Sequence, residues 1–424
     1  MRFLYDIFFI LFAIGYLPVM LLKGKFHRDL AQRFGFLPGG VLALRSPLWI
    51  HAVSVGEAAV AAQLAAKIKE KAPDIPVVVS TTTVTGNEMI TRLGKDSVDG
   101  IFYYPLDISF IVDRVIRALR PRMYVMIETE LWPNLISRME KNGIPVALVN
   151  GRISDSSFGN YMRIRPVIRG VLDKIGLFCT QSEQDRERIV RMGACAEKTA
   201  VTGSMKFDET GGRQGEEAFD RSAIGIGKED KVIMAGSTHF PEEHDLVDIF
   251  TEIYDEHPEA RLVIVPRHIE RCGAIKIYIE KAGFRCALFS DIAAGGKVPD
   301  GGVILVDTIG HLRRLYSAAD IVFVGGSIAR KGGQNPIEAA RWKKPVIFGP
   351  NMGNFRQVAE MLTGSGGAVR VEDKEHLKSV ILDLLKDGRE RGMIAEKAFG
   401  VIQSNSGATE RTADRVLDVL RNAG

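Results

Sequence analysis

From Pro47 onward, apolar runs of strand length alternate with amphipathic helical stretches, and few folds accommodate that order. The runs "LWIHAV", "PVVVST", "IFYYP", "MYVMIE", "PVALVN", "IGLFCT" and "AVTG" are apolar nearly throughout rather than at every second residue. A strand wetted on one face alternates, whereas a strand covered on both faces reads as a continuous apolar run. Helical patterns over 57–71, 108–119, 131–142 and 182–192 lie between the runs and supply the covers. The stretch 208–230, "DETGGRQGEEAFDRSAIGIGKED", turns polar and glycine-rich and reads as a linker. A second alternation follows, with "KVIMAGS", "RLVIVPRH", "RCALFS", "VILVDT", "IVFVGGS" and "KPVIFGP", and the chain from about 373 is helical and charged. The expectation is α/β, with two doubly wound, Rossmann-like domains facing a cleft and ligands at the carboxyl ends of the strands. A chain of 424 residues is also too long for one ordinary core.

Composition narrows the class. Hydrophobic residues at 46% with 25% charged residues describe a folded rather than a disordered chain. A net charge of +4 suits an anionic substrate or a membrane surface and is a weak basis for nucleic-acid binding, which is not expected. Cys179, Cys195, Cys272 and Cys286 form no CxxC pair, which fits a reduced, cytoplasmic setting. Phe3 to Leu22, "FLYDIFFILFAIGYLPVMLL", is almost wholly apolar and about as long as a bilayer span, with Asp6 and Pro18 as imperfections. Lys23, Lys25, Arg28 and Arg33 follow it, so the positive-inside bias places the body of the chain in the cytoplasm. The expected organisation is a membrane anchor over 1–24, one domain over 25–207, the linker over 208–230 and a second domain over 231–424.

Polar residues cluster where the apolar runs end. Ser54-Val55-Gly56-Glu57 carries the capping-box spacing, so Glu57 either starts a helix or does chemistry at a strand end. "TTTVTGNE", "IETELWPN" and "NGRISDSS" follow later runs of the first half. In the second half the tips are "AGSTH", "VPRH", "DTIGHL" and "GGSIARKGGQNPIEAA". In the last of these, Gly325-Gly326 end a strand and Gly333 precedes Gln334-Asn335-Pro336, a sequence suited to open a helix. Such a helix N-terminus can hold a phosphate, with Glu338 meeting ribose hydroxyls; a flexible loop with a well-capped helix fits equally. Arg267-His268 can pair with a phosphate or stand solvated. No GK[ST] makes a P-loop, no GxGxxG and no GxSxG is present, and no His/Cys or acidic set has metal-ligand spacing.

Taken together, "SVGE", "ETELWPN", "GSMKFD", "AGSTH", "VPRH" and "GG…GGxNPxE" resemble the 3-deoxy-D-manno-octulosonic acid (Kdo) transferases of lipopolysaccharide biosynthesis, over essentially the whole chain. The resemblance implies a GT-B glycosyltransferase that moves Kdo from CMP-Kdo to a lipid A precursor of the lipid IVA type, with inversion. It implies no cofactor and no metal, at the cytoplasmic face of the inner membrane. It also implies Glu57 as general base, with Glu128 and Lys206 supporting the transition state. On the same resemblance, Pro266, Arg267, His268, Ile309, Gly310, His311, Asn335, Pro336, Ile337 and Glu338, with Gly236, Ser237, Gly325, Gly326 and Gly333, are expected on the CMP-binding side. It implies Ser54, Gly56, Glu130 and Arg152 on the acceptor side. The resemblance would lead one to expect histidine at the position of Gln334. A UDP-sugar transferase or epimerase and a non-catalytic membrane adaptor are the competing readings.

Overall fold

The computed structural model describes residues 5–6, 29–208, 217–296 and 302–422. In the first strand, β1 (Leu48–Ala52), successive side chains enter different cores. Leu48, Ile50 and Ala52 pack in one buried cluster, and Trp49 packs in another. Met123, Val125 and Ile127 of β4 (Met123–Ile127) join the first cluster, while Tyr124 and Met126 join the second. Side chains of a strand alternate between its faces, so a sheet with two dry faces needs apolar residues at both parities. That need produces the continuous apolar runs of the sequence.

The remaining strands of this sheet are β2 (Val77–Thr81), β3 (Gly100–Tyr103), β5 (Val146–Gly151), β6 (Leu177–Thr180) and β7 (Thr199–Val201). They are parallel and lie in the order β3-β2-β1-β4-β5-β6-β7. The order reverses between β1 and β4, the position at which doubly wound sheets open a crevice for ligands.

The second sheet contains β8 (Lys231–Thr238), β9 (Ala260–Pro266), β10 (Cys286–Leu288), β11 (Val303–Leu305), β12 (Ile321–Val324), β13 (Val346–Phe348) and β14 (Ala368–Arg370). It is also parallel, in the order β10-β11-β9-β8-β12-β13-β14, and its reversal lies between β8 and β12. Strand β14 has no counterpart among the expected runs. It is three residues long and ends on an exposed arginine, so no apolar run marks it.

The chain divides into two units, Met1–Glu209 with Asn405–Gly424, and Thr210–Ser404. This corrects the expected second domain over 231–424, because the last helix, Ala408–Asn422, belongs to the first unit. Its residues Ala413, Val416, Leu417 and Leu420 complete the core that also holds Leu64 and Ile68 of the helix Val55–Lys71. Burying each of the larger side chains stabilises by roughly 1.5–3 kcal/mol. The Asp208 carboxylate accepts from the Gly407 N–H (2.7 Å) and the Thr409 N–H (2.6 Å) at the start of that helix.

The expected linker over 208–230 is also shorter at its far end. Phe219 N donates to Ser317 Oγ (2.7 Å), and Ile224 and Ile226 are buried in the second unit. Among the described residues no helix is long and apolar enough to cross a membrane. The expected anchor over 1–24 lies outside the described residues except for Tyr5 and Asp6. Asp6 Oδ1 accepts from Asn134 Nδ2 (2.6 Å) and from Ser109 N (3.2 Å).

Candidate active site

In the first unit the site grows from the carboxyl ends of β1 and β4. Ser54 is the N-cap of the helix Val55–Lys71, and its Oγ accepts from Glu57 N at 3.3 Å. The same hydroxyl donates to Glu57 Oε1 (2.8 Å), and Glu57 Oε2 accepts from Val53 N (2.8 Å). The capping-box spacing therefore does fix the Glu57 carboxyl, and it holds that group 8% exposed. Ser54 and Gly56 stand exposed beside it.

A helix N-terminus lowers a carboxyl pKa, and the sequence leads one to expect that here. The opposite holds. Burial pushes the Glu57 carboxyl above its ordinary value; the Val53 N–H and the Ser54 bonds pull against it, and the negative charge of Glu128 adds to the rise. Desolvation outweighs the cap because the charged form loses more water than these hydrogen bonds replace.

Glu128 follows β4 with a left-handed backbone (φ 59°), its N–H bonded to Val149 O at 2.9 Å. Positive φ in a residue other than glycine is uncommon and gathers at functional sites. Glu128 Oε1 pairs with Lys206 Nζ at 3.2 Å. Lys206 sits in the short turn Met205–Phe207, whose Met205 N–H is held by Asn150 Oδ1 at 3.0 Å. Asn150 is itself left-handed (φ 53°) and lies where the β5–β6 register shifts. Glu130 is half-buried, and burial together with the charges of Glu57 and Glu128 brings its carboxyl up to about 7. The Arg152 carbonyl accepts from Thr129 Oγ1 at 2.6 Å, which brings the start of the "RISDSS" loop to the glutamates. Glu57, Glu128, Glu130 and Lys206 thus form one group in which a proton can be taken up near neutral pH beside a fixed cation.

In the second unit basic side chains gather around the end of β9. Arg267 and His268 follow β9, with Arg267 N bonded to Thr238 O at 3.0 Å, and both side chains are exposed. The His268 ring lies 5.4 Å from that of His239. Burial lowers the pKa of His239, and the charges of His268, Lys331, Arg267 and Arg271 lower it further, so these five groups share one neighbourhood. Glu338 stands against Arg313 and Arg267, and burial still holds its carboxyl at about 7. Ile309 is 75% exposed on the turn before His311, which precedes the helix Leu312–Leu315 carrying Arg313.

The glycine-rich segment differs from its sequence reading. The helix there, Ile337–Arg341, has five residues, Pro336 is its N-cap, and Asn335 Oδ1 accepts from Ile337 N at 3.0 Å. The N–H groups of Gly326, Ser327, Ile328 and Ala329 are bonded to the Glu242 carboxylate rather than open to a ligand. Gly236 and Gly325 are required by packing. A Cβ on Gly236 would lie 2.0 Å from the Tyr316 hydroxyl, and one on Gly325 would lie 2.6 Å from Ser237 O.

His239, Arg271, Arg313, Lys331 and Glu242 were not foreseen as site residues. The available signal was the polar "STH" ending a strand, followed at once by the acidic pair Glu242-Glu243. Arg163, Arg165 and Arg169 lie on exposed helix surface. Among the described residues no group of three or more His, Cys, Asp and Glu side chains can hold a metal ion.

The sequence model of the family described as 3-Deoxy-D-manno-octulosonic-acid transferase (kdotransferase) matches residues 28–209. The 3-deoxy-D-manno-octulosonic acid transferase of Haemophilus influenzae is 31% identical over 416 residues, 97% of this chain and 95% of that protein. That of Bordetella pertussis is 32% identical over 391 residues, 89% of this chain and 88% of that protein. A solved UDP-N-acetylglucosamine 2-epimerase is similar in fold, with a TM-score of 0.59 at 15% identity over 88% of this chain and 95% of the epimerase.

Proposed function

Because the chain belongs to the Kdo transferase family of glycosyltransferases, we propose that it carries Kdo from CMP-Kdo to a lipid A precursor of the lipid IVA type. The reading includes inversion, no metal, membership of the GT-B class and work at the cytoplasmic face of the inner membrane. The observation that carries it is the Glu57 carboxyl, buried at the β1 switch point with its proton affinity raised, in one group with Glu128 and Lys206.

In this reaction the acceptor hydroxyl oxygen attacks the anomeric carbon of Kdo while the bond from that carbon to the CMP phosphate oxygen breaks. The centre passes through oxocarbenium character, as in glycoside cleavage. Glu57 takes the hydroxyl proton, and a raised pKa makes it a stronger base than an ordinary carboxylate. Lys206, held by Glu128, supplies a fixed positive charge to the Kdo carboxylate or to the departing phosphate. In the second unit Arg267 and Lys331 neutralise the phosphate, His268 hydrogen-bonds to it, and Glu338 accepts from ribose hydroxyls. Side-chain cations do the work that a divalent ion does elsewhere.

The test is incubation of the pure protein with CMP-Kdo and lipid IVA in the presence of EDTA. Mass spectrometry of the lipid is expected to show addition of Kdo with release of CMP. A product that forms only after a divalent metal is restored would overturn the metal-independent reading. Thermal stabilisation by UDP in preference to CMP would overturn the donor assignment.

A further inference from the structure

The Glu242 carboxylate is 1% exposed and accepts five backbone N–H groups. Oε2 accepts from His239 N (2.9 Å) and Gly326 N (2.7 Å). Oε1 accepts from Ser327 N (3.0 Å), Ile328 N (2.9 Å) and Ala329 N (3.1 Å). Successive N–H groups converging on one point form an anion cradle of the kind that elsewhere takes a phosphate. Here the protein fills the cradle with its own carboxylate.

We propose that Glu242 is a positioning residue for the donor, an internal anion that sets the 326–329 loop and His239 in place together. The loop continues through bonds made at its root. Gly333 N reaches Gly326 O (2.9 Å), and Gln334 N reaches Gly325 O (3.1 Å). Asn335 and Glu338 follow directly, so their placement depends on the loop that Glu242 holds. The same carboxylate fixes the backbone of His239, whose ring lies in the basic group with His268, Lys331 and Arg267. One buried group therefore ties the end of β8 to the end of β12, the two sides of the switch point. A further consequence is that the donor phosphate meets side chains rather than the amides of 326–329.

The inference rests on the reading that CMP binds the second unit, and the experiment separates the two. The full chain is compared with Glu242→Gln, which keeps the volume but replaces one acceptor oxygen with a donor, and with Glu242→Ala. For Glu242→Ala the KM for CMP-Kdo is expected to rise about tenfold or more, with kcat changed much less, because donor placement and not chemistry is lost. Glu242→Gln is expected to fall between Ala and wild type. Amide hydrogen exchange over 325–331 is expected to speed up in both variants. Formate or acetate is expected to restore the KM of Glu242→Ala by refilling the cradle and to leave wild type unaffected.

Unchanged exchange over 325–331 together with unchanged KM in Glu242→Gln overturns the proposal. A variant that only loses stability, with its folded fraction kinetically normal, overturns it as well. Failure of the wild-type chain to bind CMP in titration calorimetry overturns the underlying donor reading instead.

Discussion

Lys206 Nζ stands 3.2 Å from Glu128 Oε1, and each partner is held there by an unusual backbone. Glu128 is left-handed itself, and Lys206 depends on left-handed Asn150, which bonds Met205 N. Asn150→Ala is expected to cost about 2 kcal/mol, from the left-handed backbone and the unsatisfied Met205 N–H. Asn150→Gly keeps the backbone and loses only the bond. A kcat that falls in both variants, measured with denaturation midpoints, ties the turn to catalysis. A kcat that recovers in Asn150→Gly confines Asn150 to folding.

Glu57→Gln retains the cap, since glutamine accepts from Val53 N and donates to Ser54 Oγ. Its melting temperature is expected close to that of wild type, with CMP affinity unchanged and turnover lower by about 10²–10⁴-fold. Ser54→Ala is the control, expected to cost about 1 kcal/mol as an N-cap with a small effect on turnover. A fully active Glu57→Gln enzyme would return this residue to helix capping alone.

The charge of Glu128 raises the Glu57 pKa, so the two are coupled in the rate profile. The base works when ionised, so kcat/KM is expected to fall on the acid side at a pH above the ordinary carboxylate range. Glu128→Gln removes the repulsion and is expected to shift that limb to lower pH, while the plateau falls because Lys206 loses its partner. A limb that does not move belongs to another group.

Glu130 is brought from 4.5 to about 7 on folding, which makes it a stability cost at neutral pH. A raised carboxyl favours the folded state below its unfolded pKa, and that contribution is lost as pH rises through the folded value. Glu130→Gln is therefore expected to raise the melting temperature more at about pH 8 than at about pH 5. Equal gains at both pH values would remove the charge from the explanation.

Arg267→Ala is expected to weaken CMP binding by roughly 1.5–3 kcal/mol, the scale of hydrogen bonds to a charged group. Glu338 titrates near 7, and ribose hydroxyls favour its ionised form. CMP affinity is expected to fall as pH drops through 7, more steeply in wild type than in Glu338→Gln. The difference between the two calorimetric profiles separates Glu338 from the titration of the phosphate itself. Superimposable profiles would move the ribose contact elsewhere.

Every strand expected from an apolar run is present, and for those buried throughout, such as β1, β2, β4, β5 and β6, the reason is that a strand dry on both faces must be apolar at both parities, a requirement written locally. Strand β14 escaped, because it holds only Ala368 and Val369 before the charged Arg370. Glu57 was legible as well, since a serine three residues before a glutamate is a local signal, and so was its place at a strand end. What local pattern does not contain is the identity of a distant partner. The helix Ala408–Asn422 shows an apolar face in its sequence, yet only packing against Leu64 and Ile68 assigns it to the first unit. Glu242 reads in sequence as an acidic residue opening a helix, which the helix dipole favours anyway. Its five N–H partners lie mostly on a segment more than eighty residues away, and only the parallel pairing of β8 with β12 brings them together. The direction of the Glu57 pKa was decided in the same way. A cap is a short-range attraction visible in sequence, whereas desolvation is the summed exclusion of water by everything the tertiary fold places around the group.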